Sequence, residues 1–305
     1  MNRVRLQLPA TSANLGPGFD TLALALNLFL EIEAGVADDF SIEATGRNAA
    51  ICADLKNHLL IKTYRAVLAA QGKPATPLWL RMRNAIPLGM GLGSSAAACL
   101  AGVALAAHFG GLAWGASQIV AEAARLEGHP DNVAACWYGG FTVAGGGAAG
   151  VATASIAPPP EWKAIVVLPE KPVATHESRS VLPESYLRKD VVKNLQNAAL
   201  LTAAFALARP DLVTRAMEDT LHQPYRMELC PLLPALLPLA GSNGVLSVTL
   251  SGAGPSVLLL CSGLKALEAL RQEIAARAKA AGPVELIEAG LWSGTVATVV
   301  FGDLQ

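Results

Sequence analysis

Charge is scarce in this chain. Asp, Glu, Lys and Arg make up only 15% of its 305 residues, and 23 basic side chains nearly balance 24 acidic ones. No basic block stands out, so nucleic acid is excluded as an expected partner. Cysteine is sparse: Cys52, Cys99, Cys136, Cys230 and Cys261 are odd in number and scattered, with no C-x-x-C pair. That argues against a zinc site or a disulfide framework and leaves buried free thiols in a reducing cytoplasm as the expectation. Long hydrophobic runs are missing too. The longest, near 96–107 and 255–261, are too short to cross a bilayer, so no membrane contact is expected. TLALALNLFL at 21–30 is interrupted by Asn27, follows a GPGFD turn and lacks a small-residue cleavage site, unlike a signal peptide. No internal period of about 20–50 residues repeats, which excludes a solenoid. What the chain has in abundance is apolar residues, 52%, many of them alanine. Alanine favours helices, and the length suits two domains.

The most telling stretch is AIPLGMGLGSSAAACLAGVALAAH, residues 85–108. Gly89, Gly91 and Gly93 alternate with hydrophobic residues, Ser94 and Ser95 follow, and an alanine-rich run continues to Gly110 and Gly111. The order reads as a loop, a serine N-cap, a helix and a glycine stop. Backbone N–H groups bared by glycine at the positive end of a helix make a site for anions such as phosphate. A tight packing turn would explain the same glycines equally well. No lysine follows them, so this is not the Walker pattern, and the spacing is not the dinucleotide fingerprint either. Such a loop would hold phosphates by backbone and dipole, with a serine hydroxyl available to a metal ion.

Along the chain, Val4, Leu6 and Leu8 alternate as a strand that Pro9 ends, and PATSANLGPGFD at 9–20 reads as a polar loop. Strands are expected at 21–33, 78–83, 138–144, 151–157, 162–168, 244–250 and 257–261, with two more in the tail. Helices are expected at 56–71, 115–127, 190–208, 210–221, 231–240 and 264–281. Residues 38–50 read as turn-like, 128–140 as a loop and 175–179 as a polar segment; Pro224 breaks the chain at 222–226. Pro158-Pro159-Pro160 is the domain boundary this reading favours, giving units 1–158 and 159–305. Intermingled strands and helices give an α+β class.

PLGMGLGSSAA resembles the phosphate loop of the GHMP kinases. Within that superfamily, PATSANLGPGFD and EGHPDNVA at 127–134 are similar to motifs of the homoserine kinases, and SGAGPSV at 251–257 resembles the superfamily's third motif. The resemblance implies a two-domain fold, an N-terminal domain like the second domain of ribosomal protein S5 and a ferredoxin-like C-terminal one. It also implies ATP and Mg2+, with L-homoserine as acceptor, in a cytoplasmic step of threonine biosynthesis. The nucleotide would lie on Pro87, Leu88, Gly89, Met90, Gly91, Leu92, Gly93, Ser94, Ser95 and Ala96, with Asn57 near the base. The amino acid would meet Asn14, Asp20, Thr175, Arg179 and Arg226. Asn132 would sit beside the reacting hydroxyl, with Ser94 sharing the catalytic role. For the metal, Ser94 or Ser95 would supply a hydroxyl and Glu127 or Glu122 a carboxylate, because Arg125 stands where many relatives carry a glutamate. A superfamily kinase for threonine or pantoate, and a ligand sensor without turnover, are the alternatives. No pattern decides oligomeric state, and a homodimer stays an open expectation.

Overall fold

The protein is described here as a computed structural model covering residues 3–147, 150–171, 175–264, 267–296 and 299–301. Its first half is built on one sheet. Strand β1 (Arg3–Asn14) pairs antiparallel with the long β2 (Gly18–Val36), and β4 (Leu78–Asn84) pairs with the far half of β2. β3 (Ser41–Gly46) lies parallel to β4, while the hairpin β5 (Phe141–Gly147) and β6 (Gly150–Ile156) joins the near half of β2 through β5. Between them run the helices α1 (Ala49–Cys52), α2 (Leu59–Ala70), α3 (Ser94–Phe109), α4 (Ala116–Glu127) and α5 (Asp131–Tyr138). Helix α3 is apolar almost all round and buried from Ala96 to Ala107 apart from Ala98, as a central helix must be.

The second half holds β7 (Lys163–Pro169), then α6 (Thr175–Ser180), α7 (Arg188–Ala206), α8 (Pro210–Arg215), α9 (Gln223–Arg226) and α10 (Leu232–Leu236). β8 (Val245–Leu250), β9 (Val257–Cys261), α11 (Leu267–Ala278) and β10 (Val284–Gly290) follow. The sheet order is β10-β7-β9-β8, all antiparallel, which is the ferredoxin-like arrangement of a split βαβ pair. This is a mixed α+β architecture built on two sheets. A last strand, β11 (Val299–Phe301), returns to pair with β1 although it lies in the segment 159–305. The halves share a core: Trp162 packs edge-on against Phe205, which stacks on Phe141 at 4.0 Å.

Several local expectations change. The segment 9–20 is mostly strand, because β1 continues through Pro9 to Asn14 and only 15–17 turn. Pro9 is tolerated because the register shifts between it and Ala10, a bulge that relieves the lost N–H. Thr11 and Ser12 are fully buried there, so polar residues in the sequence concealed a strand. Residues 38–50 contain β3, an edge strand with a mostly exposed, weakly alternating pattern. Residues 128–140 contain α5, and 175–179 begin α6. The helix expected over 210–221 stops at Arg215. The cap of α3 is Gly93 in the left-handed region, φ 67°, and Ser94 is already helical. The N-cap is therefore a glycine and not a serine.

Candidate active site

The turn that opens α3 lies between two cavities. One, of about 330 Å³, is polar and is lined by Asn14, Phe19, Asp20, Glu127, His129, Asp131, Asn132, Arg179, Arg226 and the glycine turn 252–254. The other, of about 370 Å³, is lined largely by Leu30, Met82, Ile86, Leu88 and Cys52, with Asn57 and His58 at its edge. Gly89, Ser94 and Ser95 line both. Gly91, Leu92, Gly93 and Ala96 line the polar cavity only. Pro87 is buried behind the loop and Met90 packs on the core; neither lines either cavity.

The loop is held from both halves of the chain. Ala97 N–H makes the first α3 bond, to Gly93 O, so the N–H groups of Ser94, Ser95 and Ala96 lie ahead of it at the positive helix end. The Ser251 hydroxyl donates to Gly91 O at 2.7 Å, and Gly252 N–H donates to Ala13 O at 3.0 Å. Asn14 Nδ2 donates to Gly252 O at 2.8 Å. The glycine turn of the second half thus fastens the loop before α3 and the end of β1 together.

Across the polar cavity, Arg179 makes a forked ion pair with Asp20, at 3.0 and 2.7 Å. The bond to Asp20 raises the pKa of Arg179 above its ordinary value. Asp20 itself sits at φ 53°, with its N–H bonded to Asn14 Oδ1. Arg226 is 1% exposed and donates to Ser178 O at 3.0 Å. Burial first, then the nearby Arg179, lowers its pKa, yet a guanidinium stays charged at neutral pH. Both guanidiniums lie over the Phe19 ring, at 5.6 and 5.4 Å from its centroid. Thr175 begins α6, but its side chain lies outside the described residues.

At the cavity wall, Asn132 Oδ1 accepts from the Thr11 hydroxyl at 2.7 Å, which aims its amide. Asp131 is 1% exposed; its Oδ1 accepts from Asn132 N–H and meets His129 Nδ1, both at 2.6 Å. That bond raises the pKa of His129. Glu127 Oε1 accepts from the Ser95 hydroxyl at 2.8 Å, and burial raises the Glu127 pKa. Glu122, by contrast, is forked to Arg125 at 2.8 Å and lines a different cavity beside Trp114 and Gln118. The two carboxylates weighed for the metal are therefore far from equivalent. Asn57 reaches the apolar cavity, where its Oδ1 accepts from Lys62 Nζ.

The glycine turn within 251–257, which the resemblance to the third motif places near the site, lines the cavity, whereas Phe19 and His129 line it without having been singled out in the sequence. His129 could have been found from its place in EGHPDN, two residues before Asp131 and three before Asn132.

Residues 58–140 match the GHMP kinases N terminal domain and residues 201–280 the GHMP kinases C terminal domain. A homoserine kinase of Solibacter usitatus is 44% identical over 255 residues, covering 83% of this chain and 84% of the relative. A homoserine kinase of Moorella thermoacetica is 40% identical over 258 residues, covering 85% and 87%. The crystal structure of homoserine kinase from Cytophaga hutchinsonii shares the fold with a TM-score of 0.81 at 24% identity, covering 97% of each chain. A putative homoserine kinase from Listeria monocytogenes superposes with a TM-score of 0.75 at 29% identity over 99% of this chain and 100% of that one.

Proposed function

Because the chain belongs to the homoserine kinases of the GHMP kinase family, we propose that it transfers the γ-phosphoryl group of ATP to the side-chain hydroxyl of L-homoserine. The products are O-phospho-L-homoserine and ADP, with one proton released. The observation that carries this reading is the meeting of Arg179, Arg226 and Asp20 in the cavity that the α3 loop opens into. A zwitterion fits such a set: the two guanidiniums take its carboxylate and Asp20 takes its ammonium. The apolar cavity would receive the adenine, with Asn57 at its rim, and the N–H groups of the loop the phosphates.

Ser95 and Glu127 suit Mg2+, because a hydroxyl and a half-buried carboxylate already touch beside the loop. Ser94 lines the same space; Glu122, forked to Arg125, does not. When bound, the ion would offset charge on the transferring phosphoryl group. Asn132 holds the acceptor hydroxyl in line. Asp131 is buried, with its Oδ1 engaged by Asn132 N–H and His129 Nδ1, and in this reading it supports Asn132 and does not act as a base. A loose phosphoryl-transfer transition state needs little deprotonation beforehand, and rate comes from positioning and charge neutralisation.

A coupled assay with ATP, magnesium and homoserine, threonine, serine or pantoate tests the reading. Turnover is expected to be fastest with homoserine. Faster turnover of pantoate, which has no amine, would overturn the zwitterion clamp, and no turnover with any acceptor would favour a sensor. Asp131→Asn is expected to keep most of kcat, and Asn132→Ala to lose a moderate part. A drop of about 10³-fold in kcat for Asp131→Asn, with KM unchanged, would reveal a base.

A further inference from the structure

His222 is fully buried, 0% exposed, directly behind the clamp. Its Nδ1 lies 3.0 Å from Arg226 NH1, and its Nε2 lies 2.8 Å from the carbonyl oxygen of Gly16. These neighbours fix its protonation. A guanidinium only donates, so Nδ1 must be a bare acceptor; a carbonyl only accepts, so Nε2 must carry the hydrogen. Nε2 is also 3.4 Å from Asp219 Oδ2, a second acceptor on the same side. Burial lowers the His222 pKa to about 4, the direction expected for an imidazole kept neutral.

The ring also stacks on Phe19, centroids 5.3 Å apart and 25° between planes, and both clamp guanidiniums lie over the Phe19 ring. The backbone around His222 is fixed in turn. Asp219 Oδ2 accepts from the N–H of His222 and of Gln223, and Gln223 Oε1 accepts from Leu250 N–H at 2.8 Å. The imidazole therefore has one orientation, and it ties α9 of the second half to the 15–17 turn of the first.

We propose that His222 is a positioning residue for the amino-acid clamp: through Nδ1 it aims Arg226, and through Nε2–H and its stacked face it holds the turn that presents Phe19 and Asp20. It touches neither substrate nor nucleotide. The inference rests on the reading above that Arg226 takes the substrate carboxylate.

Steady-state kinetics of the full chain test it. His222→Leu is expected to raise the homoserine KM by about tenfold or more, the loss of one aimed charged bond, with the ATP KM within about twofold. His222→Asn, whose Oδ1 can stand in for Nδ1, is expected to restore most of that loss. In an Arg226→Ala background, His222→Leu is expected to add less than about threefold, because the two act as a unit. Equal rises in both KM values, or a full additional loss in the Arg226→Ala background, would overturn the proposal. Should His222→Leu fail to fold, long-range ¹H–¹⁵N spectra of the wild-type protein at neutral pH decide. A bare Nδ1 and a protonated Nε2 are expected, and a protonated Nδ1 overturns it. A wild-type enzyme inactive on homoserine would instead sink the functional reading, while the spectra would still report on the ring.

Discussion

Gly91→Val is expected to abolish measurable ATP binding and kinase activity. Gly91 stands at φ 73°, a conformation that β-branched residues avoid. A Cβ there would collide with the carbonyl oxygen of Ser251 and lie 2.8 Å from that of Gly254, both backbone atoms that cannot swing aside. From the sequence, a Cβ at a glycine of this loop is expected to crowd a phosphate held on the bared N–H groups. The structure gives a different cause: the substitution drives the glycine turn of the second half off the loop and breaks the Ser251–Gly91 bond. Left-handed strain costs about 1–2 kcal/mol and overpacking about 1–3 kcal/mol more, together enough to displace the loop. Gly111→Ala is the control, because Gly111 shares a positive φ of 60° but faces open space. It is expected to lose some thermal stability and keep its ATP affinity. Calorimetry on both variants, with melting curves to show that each is folded, makes the comparison. Unchanged ATP affinity in a folded Gly91→Val protein would remove the loop from the nucleotide site.

The same contact explains what the sequence could disclose and what it could not. Glycines followed by serines and alanines announce a helix entrance, since backbone freedom and helix propensity are local properties. Which atoms crowd each glycine is not local: Gly91 meets residues about 160 positions away, and Gly93 packs on Thr11. Thr11 and Ser12 misled because polarity usually marks a loop, whereas here strand pairing buries both. Asp20, Arg179 and Arg226 were legible only as members of separate motifs, and their convergence needed the fold. Glu122 and Glu127 are five residues apart on one helix, so their side chains point in different directions, and only packing separates them. His222 had no signal beyond adjacency to an arginine motif, because its role is to touch other protein groups.

Arg226→Ala is expected to be the more damaging of the two clamp substitutions. Arg226 is buried and makes a fixed bond to Ser178 O and another with the His222 ring. Its guanidinium is thus ordered before substrate arrives, and little entropy is lost on binding a carboxylate. Its removal also leaves the Ser178 carbonyl and His222 Nδ1 without their donor. A charge-assisted bond contributes about 1.5–3 kcal/mol, so the homoserine KM is expected to rise by on the order of 100-fold while the ATP KM moves little. Arg179 differs in kind: its side chain is 40% exposed and is held by Asp20, a partner that the substrate's own ammonium would compete for. Water can replace part of what it supplies, and Arg179→Ala is expected to cost about tenfold. Arg226→Lys should not rescue, because one ammonium cannot reach Ser178 O, His222 Nδ1 and a carboxylate from a single point. Initial-rate measurements with each substrate varied in turn separate these outcomes. Equal losses toward ATP and homoserine in Arg226→Ala would place that residue in the nucleotide site or in the fold, and the clamp would then have to be built from Arg179 alone.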